Sequence, residues 1–396
     1  MPIRRTHRKS RHGCKACKHR RVKCDEARPV CSNCEQRGEE CEYVTEASYI
    51  WAEETAPRPA RKQRPRQNVY DNGSPRQAPF RLLERSGPGV LNASLDMNQL
   101  RLLVNWQHET CQFFSRDTET RIVWQIYLVE EALVSPPLMH GILAVSALHL
   151  ALSEQSNQVL WLEIATAHKG EALQFLREGL GRVTPENARS MMGLSALVVA
   201  YAFGSALADT EISDADKPSL DALNNVFVLC RGVQEITNAA YTFLRQSNFG
   251  PLFNPGDPSL AVPDHIKASF DHLDQLNEKF LQHENHDAAT YSQVIQGMKG
   301  LAGHTFTQPN SMTLAAGWAI RITPEYLRHL QAKEPFALIV HAHYCGFLHL
   351  AKGNCFLQHW GRSVLEDIMS LLDETWRSYI GWPITEVFGE GYDEPV

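Results

Sequence analysis

The first eleven residues hold Arg4, Arg5, Arg8, Lys9 and Arg11 and no apolar run, so the sequence predicts neither a secretory signal nor an anchor there. Alternating apolar and polar runs are scarce along the chain, which argues against a β-rich fold. No G-x-S-x-G motif occurs, and Gly170, Gly179 and Gly181 form no phosphate-cradling loop. Three consecutive apolar a/d heptads are missing after Cys41, so no coiled coil is predicted in that region. Outside the N-terminal stretch cysteine is sparse. Cys111, Cys230, Cys345 and Cys355 stand singly and read as ordinary thiols, not as a second metal site. His341, His343, His349 and His359 crowd together late in the chain. On a helix, residues two apart point to different sides, so His341 and His343 would not chelate one ion. With no catalytic constellation left, an enzyme is not the expected function.

What is present begins at Cys14. Six cysteines, Cys14, Cys17, Cys24, Cys31, Cys34 and Cys41, follow the spacing C-x2-C-x6-C-x6-C-x2-C-x6-C, and the second half repeats the first. A C-x2-C pair lets two thiolates reach one ion from a single turn, and a third cysteine closes the site from the far end of a short helix. Each half offers three ligands, whereas structural zinc takes four in a tetrahedron. Two ions are satisfied by six thiolates if two of them are shared. The spacing therefore predicts two zinc ions per chain, bridged by Cys14 and Cys31. The competing reading, a disulfide framework, needs a secreted chain, and no secretory signal precedes the motif.

Between the cysteines the chain is cationic. Lys15 precedes the run Lys18-His19-Arg20-Arg21-Val22-Lys23, and residues 1–41 carry a formal +7. A small module ordered by metal, with cations on its one short helix, suits phosphate neutralisation, and Arg or Lys can read guanine O6 and N7 in the major groove. The partner expected is double-stranded DNA.

This stretch resembles the fungal Zn(2)-Cys(6) binuclear cluster transcription factors, whose module sets a short helix end into the major groove. By position, the resemblance implies that Arg21 reads the base edges of a CGG-type triplet. Lys18 and Arg20 would lie near base edges or backbone, Lys23 would contact phosphate, and Pro29 would turn the chain between the half-motifs. Lys15 is expected among the DNA contacts from its place beside the cationic run. Arg20-Arg21 stands where many members have lysines, which keeps the charge but changes the donor geometry.

The chain as a whole has 396 residues and a net charge of −6, split into a head of +8 over residues 1–66 and a remainder of −14. A basic head on an acidic body fits a DNA-binding module joined to a separate regulatory body. The divisions expected are a cluster domain over residues 1–45, a flexible linker over 46–92 and an all-helical regulatory domain over 93–396. Repeated Pro and Gly and an absence of apolar periodicity mark the linker. Within it Arg58, Arg61, Lys62, Arg64 and Arg66 make a basic cluster that reads as a nuclear localisation signal, against the plainer reading of a solubilising linker. The nucleus is the expected location.

From about residue 95 the apolar period is helical, giving an all-α body. Expected faces are Leu100, Leu103, Val104, Cys111 and Phe114; Leu138, Ile142, Val145, Leu148 and Leu152; and Leu162, Ala165, Ala172, Leu173, Leu176 and Leu180. Ser135-Pro136, Thr184-Pro185-Glu186 and Thr323-Pro324-Glu325 read as helix starts, and later helices are expected over 219–247, 265–283, 335–352 and 363–380. Residues 135–153 and 190–208 are uncharged and near the length of a membrane span, yet their Ser, Gly, Pro and His content favours buried core helices, so no span is predicted.

The body also resembles regulators similar to sterol uptake control proteins. The resemblance is carried by the early helices around Trp124 to Leu150, a turn at Cys230-Arg231-Gly232-Val233 and Gly381-Trp382-Pro383-Ile384. It implies a helical domain enclosing an apolar, sterol-like ligand whose occupancy is coupled to the head. Other relatives with this body activate secondary-metabolite gene clusters. The expected function is thus a sequence-specific transcription factor acting on a sterol, lipid or secondary-metabolite gene set. The alternative is a lipid-sensing or interaction protein whose helical body carries the main activity. Apolar helices that simply pack solid, or that form a homodimer interface, stand beside the ligand reading.

Overall fold

The computed structural model describes residues 14–20, 22, 24–27, 30–39, 41, 96–179, 182–210, 217–254, 260–282 and 286–392. They fall into two units, one within Met1–Gly89 and one within Val90–Val396. Among the described residues there is no strand. The first unit holds two short helices, α1 (Lys15–Arg20) and α2 (Ser32–Glu35).

The second unit begins where Asp96 caps α3 (Met97–His108), accepting from the backbone of Asn98 and Gln99 at 2.9 and 3.2 Å. A π-helical turn over Val123–Tyr127 joins α4 (Thr118–Ile122) to α5 (Leu128–Val134). Then come α6 (Pro136–Ser153), α7 (Gln158–Gly179), α8 (Ala188–Thr210) and α9 (Leu220–Gln246). The second half adds α10 (Asp264–Lys279), α11 (Ala288–Thr307), α12 (Met312–Arg321), α13 (Pro324–Gln331) and α14 (Pro335–Leu350). It closes with α15 (Trp360–Leu371), α16 (Glu374–Arg377) and α17 (Gly381–Phe388).

Helices with no polar face have to be surrounded. The sequence of α6 has no charged residue, and α3, α5, α7 and α8 pack around it. The interior position of α14 follows from the same cause: residues 336–348 are all buried, and α11, α15 and α17 lie against it. Between these centres α8 meets α9, and α9 meets α12. By length and composition Pro136–Ser153 and Ala188–Ala208 could cross a membrane, but 67% and 72% of these segments are buried within the unit.

Polar groups inside are paired across helices. Ser146 of α6 donates to the Leu102 carbonyl at 2.7 Å and receives Asn105 Nδ2 at 3.0 Å, tying α6 to α3. Trp106, Trp318 and Trp360 each bury an indole and donate its N–H to a backbone carbonyl, of Trp124, Val294 and Phe203 respectively. One close approach depends on glycine. A Cβ on Gly361 would lie 2.5 Å from both the Cys345 carbonyl oxygen and the His349 nitrogen, so α15 can pack on α14 only without a side chain there.

Several expected features changed on folding. The face of α3 is Leu102 and Trp106, both fully buried, while Leu100 and Val104 are 40% and 56% exposed. The helix ends at His108, and Cys111 and Phe114 are buried from a following 3-10 turn, out of helical register. Leu138, Ile142, Val145 and Leu148 of α6 are buried as expected, with Leu152 partly so. The expected α7 face is centred instead on Trp161, Ala165, His168, Ala172 and Leu176, with Leu162 and Leu173 at its margin. Leu180 lies outside the described residues.

Pro324 does occupy the first turn of α13, capped by Thr323. By contrast α8 starts at Ala188, after a turn whose Thr184 carbonyl receives the Ala188 N–H at 2.9 Å. The helix expected over 363–380 is broken, because Asp373 accepts from Trp376 N–H at 3.0 Å and caps a new turn. Cys230 to Val233 form no turn and sit in the middle of α9. The helices α11 and α12 were not anticipated as such.

His341 and His343 do point apart. His343 hydrogen-bonds Ser269 Oγ at 2.9 Å on α10, whereas His341 lies against Phe227 of α9, ring centres 5.2 Å apart. Neither nitrogen of His341 has a hydrogen-bond partner. Burial pushes its pKa down to about 3, and burial likewise takes His343 down to about 4. Both are neutral in the folded body and take up protons only when unfolded, once pH falls below the ordinary value near 6.5. Their contribution is present above that value and is lost as pH falls toward 4. Urea midpoints of the full chain should therefore drop between pH 7 and pH 5, and His341→Phe should lessen the drop by up to about 1.4 kcal/mol per pH unit. An unchanged pH slope in the variant would show that His341 is not the group responsible.

Candidate metal centre and nucleic-acid interface

The metal centre starts as a local matter of backbone turns. Cys17 N–H donates to Cys14 Sγ at 3.4 Å as α1 begins. Glu26, with φ of 59°, turns the chain behind Cys24 and donates its N–H to that sulfur at 3.4 Å. Cys31 N–H donates to Cys41 Sγ at 3.2 Å. Gly38, with φ of 64°, follows α2 and turns the chain toward Cys41 without a side-chain penalty. Backbone donors to sulfur favour the thiolate and orient it, which is what a metal ligand needs.

Long-range packing then brings the two halves together. The sulfurs form two groups of four, Cys14, Cys17, Cys24 and Cys31, and Cys14, Cys31, Cys34 and Cys41; within each, all lie within 4.8 Å of one another. Cys14 and Cys31 belong to both. Their sulfurs are 3.7 Å apart, Cys14 to Cys34 is 3.6 Å, and Cys17 to Cys31 is 3.7 Å. A tetrahedron with Zn–S bonds of about 2.3 Å has edges of about 3.8 Å, and a disulfide would be about 2.05 Å. The donor set fits two zinc ions and not cystine. Burial and neighbouring sulfurs push the Cys34 thiol up to about 12 and raise the Cys14 thiol as well, so proton release accompanies metal uptake.

The expected DNA contacts are only partly placed. Lys15 opens α1 and is exposed; Lys18 lies on the same helix. Arg20, the last residue of α1, turns its guanidinium to the second half-motif, 3.0 Å from Glu39 and 3.9 Å from Cys34 Sγ. Its donors thus tie the halves together. Arg21, Lys23 and Pro29 lie outside the described residues, as do Arg58, Arg61, Lys62, Arg64 and Arg66.

Sequence reasoning overlooked Glu39 and a second tie, Asp25 to Ser32. Ser32 donates to the Asp25 carboxylate through its hydroxyl and its N–H, which holds that carboxyl below the usual range. For the second tie the signal was available: Asp25 and Ser32 each directly follow a cysteine, one in each half of the repeat.

The second unit contains a cavity of about 550 Å³ between α8, α9, α11 and α12, within the size range of small-molecule sites. Its buried lining includes Phe114, Trp124, Met192, Val199 and Met312; its exposed lining includes Tyr241, Arg245 and Arg321. No residue of it was singled out from sequence as a ligand contact. Among the described residues, the two cysteine groups are the only clusters of at least three His, Cys, Asp or Glu whose ligand atoms could share a metal ion.

Residues 12–49 match the fungal Zn(2)-Cys(6) binuclear cluster domain, and residues 101–214 match the fungal specific transcription factor domain. Over its whole length the chain is 23% identical to a Zn(2)-C6 fungal-type transcription factor of Gibberella zeae, 89% of which is covered. It is 29% identical, over 62% of its own length and 58% of the relative, to the Zn(2)-C6 fungal-type transcription factor afumD of Aspergillus fumigatus. A shorter likeness, 58% over 43 residues, relates 11% of the chain to 6% of sterol uptake control protein 2 of Candida albicans. Forty-three residues are too few to span the helical body. The chain thus carries a fungal Zn(2)-Cys(6) binuclear cluster domain and a fungal specific transcription factor domain, and its relatives over both are named as Zn(2)-C6 fungal-type transcription factors. It regulates transcription by binding DNA, is not an enzyme, and binds two zinc ions through its N-terminal cysteines.

Sharing of Cys14 and Cys31 has a direct stoichiometric consequence. Native mass spectrometry should show two zinc ions per chain. Cys24→Ala and Cys41→Ala each leave one complete set of four and should keep one ion, whereas Cys14→Ala and Cys31→Ala break both sets and should keep none. Equal zinc loss in all four variants would refute the bridging assignment.

Proposed function

We propose that this protein is a nuclear transcription factor that recognises CGG-type triplets through α1 and the residues just after it. The observation that carries the reading is the pair of four-cysteine groups sharing Cys14 and Cys31, which fixes a cationic helix on a metal-ordered module. Arg21 is assigned to guanine O6 and N7, Lys23 to phosphate, and Lys15 and Lys18 to the nearby backbone or base edges. Arg20 adds charge while bracing the two halves through Glu39. The basic cluster Arg58, Arg61, Lys62, Arg64 and Arg66 serves nuclear import. Residues 1–45 are taken as the DNA-binding domain, 46–92 as linker and 93–396 as the regulatory domain.

The genes controlled are read as a sterol, lipid or secondary-metabolite set. The 43-residue likeness to a sterol uptake control protein supports the sterol reading, and the apolar cavity of the body supports control by a small apolar ligand. A homodimer formed through the body would replace the coiled coil that the sequence lacks after Cys41.

Titration of the full chain against CGG and scrambled duplexes tests the readout. Arg21→Ala should lose about 1–3 kcal/mol on the CGG site and level the two sequences. Lys23→Ala should weaken both duplexes alike and reduce the slope of log K against log salt by about one. An identical, sequence-independent loss in the two variants would rule out Arg21 as the base reader.

A further inference from the structure

The cavity of the second unit is chemically lopsided. Its buried part is apolar, formed by residues such as Phe114, Met192, Val199 and Met312. Among the described residues, three arginines line it, Arg116, Arg245 and Arg321, and no Asp or Glu does. This holds although residues 67–396 carry a formal −14, so an acid-free lining is not what the composition of the body would supply by default.

The three arginines are not equivalent. Arg116 is committed: it donates to Asp117 at 3.2 Å and to the carbonyls of Pro251 and Asn254 at 2.9 Å each. Arg245 donates to the Tyr241 hydroxyl at 2.7 Å, a neutral partner that leaves its charge uncompensated. Arg321 ends α12, and among the described residues no carboxylate pairs with it or with Arg245. Both are exposed. A guanidinium presents a rigid fork of donors suited to a carboxylate, and it binds one most strongly beside a surface that excludes water. On α9 the lining positions Gln234, Thr237, Asn238, Tyr241 and Arg245 fall on one helical face, so α9 contributes a continuous polar strip to the cavity.

The geometry points to an amphipathic acid as the ligand class of this cavity: an apolar chain or ring system in the buried part, with its carboxylate held by Arg245 and Arg321. This inference rests on the reading of the body as a ligand-binding domain and narrows it from a neutral sterol to an acid.

The test uses the purified, zinc-loaded full chain and three probes: oleate below its critical micelle concentration, oleyl alcohol and ergosterol. Calorimetric titration should show oleate binding at least tenfold tighter than oleyl alcohol. Arg245→Gln and Arg321→Gln should each weaken oleate about tenfold, as expected for loss of a charged hydrogen-bonded pair, and leave oleyl alcohol unchanged. Should either glutamine form fail to fold by circular dichroism, Arg245→Lys and Arg321→Lys keep the charge but not the fork, and should weaken oleate alone, by less than tenfold. Equal affinity for acid and alcohol, or unchanged oleate binding in the folded variants, overturns the acid assignment and leaves the cavity as a site for neutral ligands. If none of the three probes binds, the ligand-binding reading falls and the acid assignment with it.

Discussion

Two sulfurs that belong to two tetrahedra at once are the constraint on which the N-terminal module depends. Six thiolates cannot give two ions four ligands each unless Cys14 and Cys31 are counted twice, and that forces the halves of the repeat against each other. Everything else in the module is small: two helices of six and four residues and a handful of turns. Such a segment buries too little apolar surface to fold by itself. Metal binding supplies the folding free energy, and the polar ties, Arg20 to Glu39 and Asp25 to Ser32, select one arrangement of the halves. The orientation of α1, and with it the direction of the module's positive field, follows from sulfur geometry.

The body is stabilised by the opposite means. Its long apolar helices α6, α8 and α14 have no polar stripe, so neighbours must enclose them, and the all-helical architecture is the consequence. Close packing is reached by omission at Gly361 and by aromatic side chains whose polar ends find backbone carbonyls. The buried and unpartnered imidazole of His341 departs from that pattern and is tolerated because it stays neutral. Where the helices do not close completely, α8, α9, α11 and α12 leave the cavity.

How much of this could be read from sequence depended on whether the chemistry was local. Ligand spacing is local, so the cluster and its two shared cysteines were legible. The faces of α6 were legible too, because nearly every residue there is apolar. On α3 the choice between the Leu100 and Leu102 faces was decided by Trp124, whose carbonyl receives the Trp106 indole from 18 residues away in sequence. Periodicity cannot see such a partner. The break at Asp373 depended on a four-residue capped turn, below the length that a periodic pattern resolves. The cavity was illegible for a stronger reason. It is assembled from Phe114, Val199, Tyr241 and Ile320, residues on separate elements with no shared motif.

The placement of α6 has a consequence in time. As it leaves the ribosome the segment Pro136–Ser153 is long and apolar enough to be taken for a membrane span. Its main cover is α7, whose last residue is Gly179. At ordinary rates of synthesis roughly 1–5 s separate the end of α6 from the end of α7, and α8 follows later still. Through that interval its neighbours already made are, among the described residues, α3, the 3-10 turn Thr110–Phe114 and α5. The early segments of the body therefore act as a temporary coat, and the order in which the chain is made is part of what keeps this helix out of a bilayer or an aggregate.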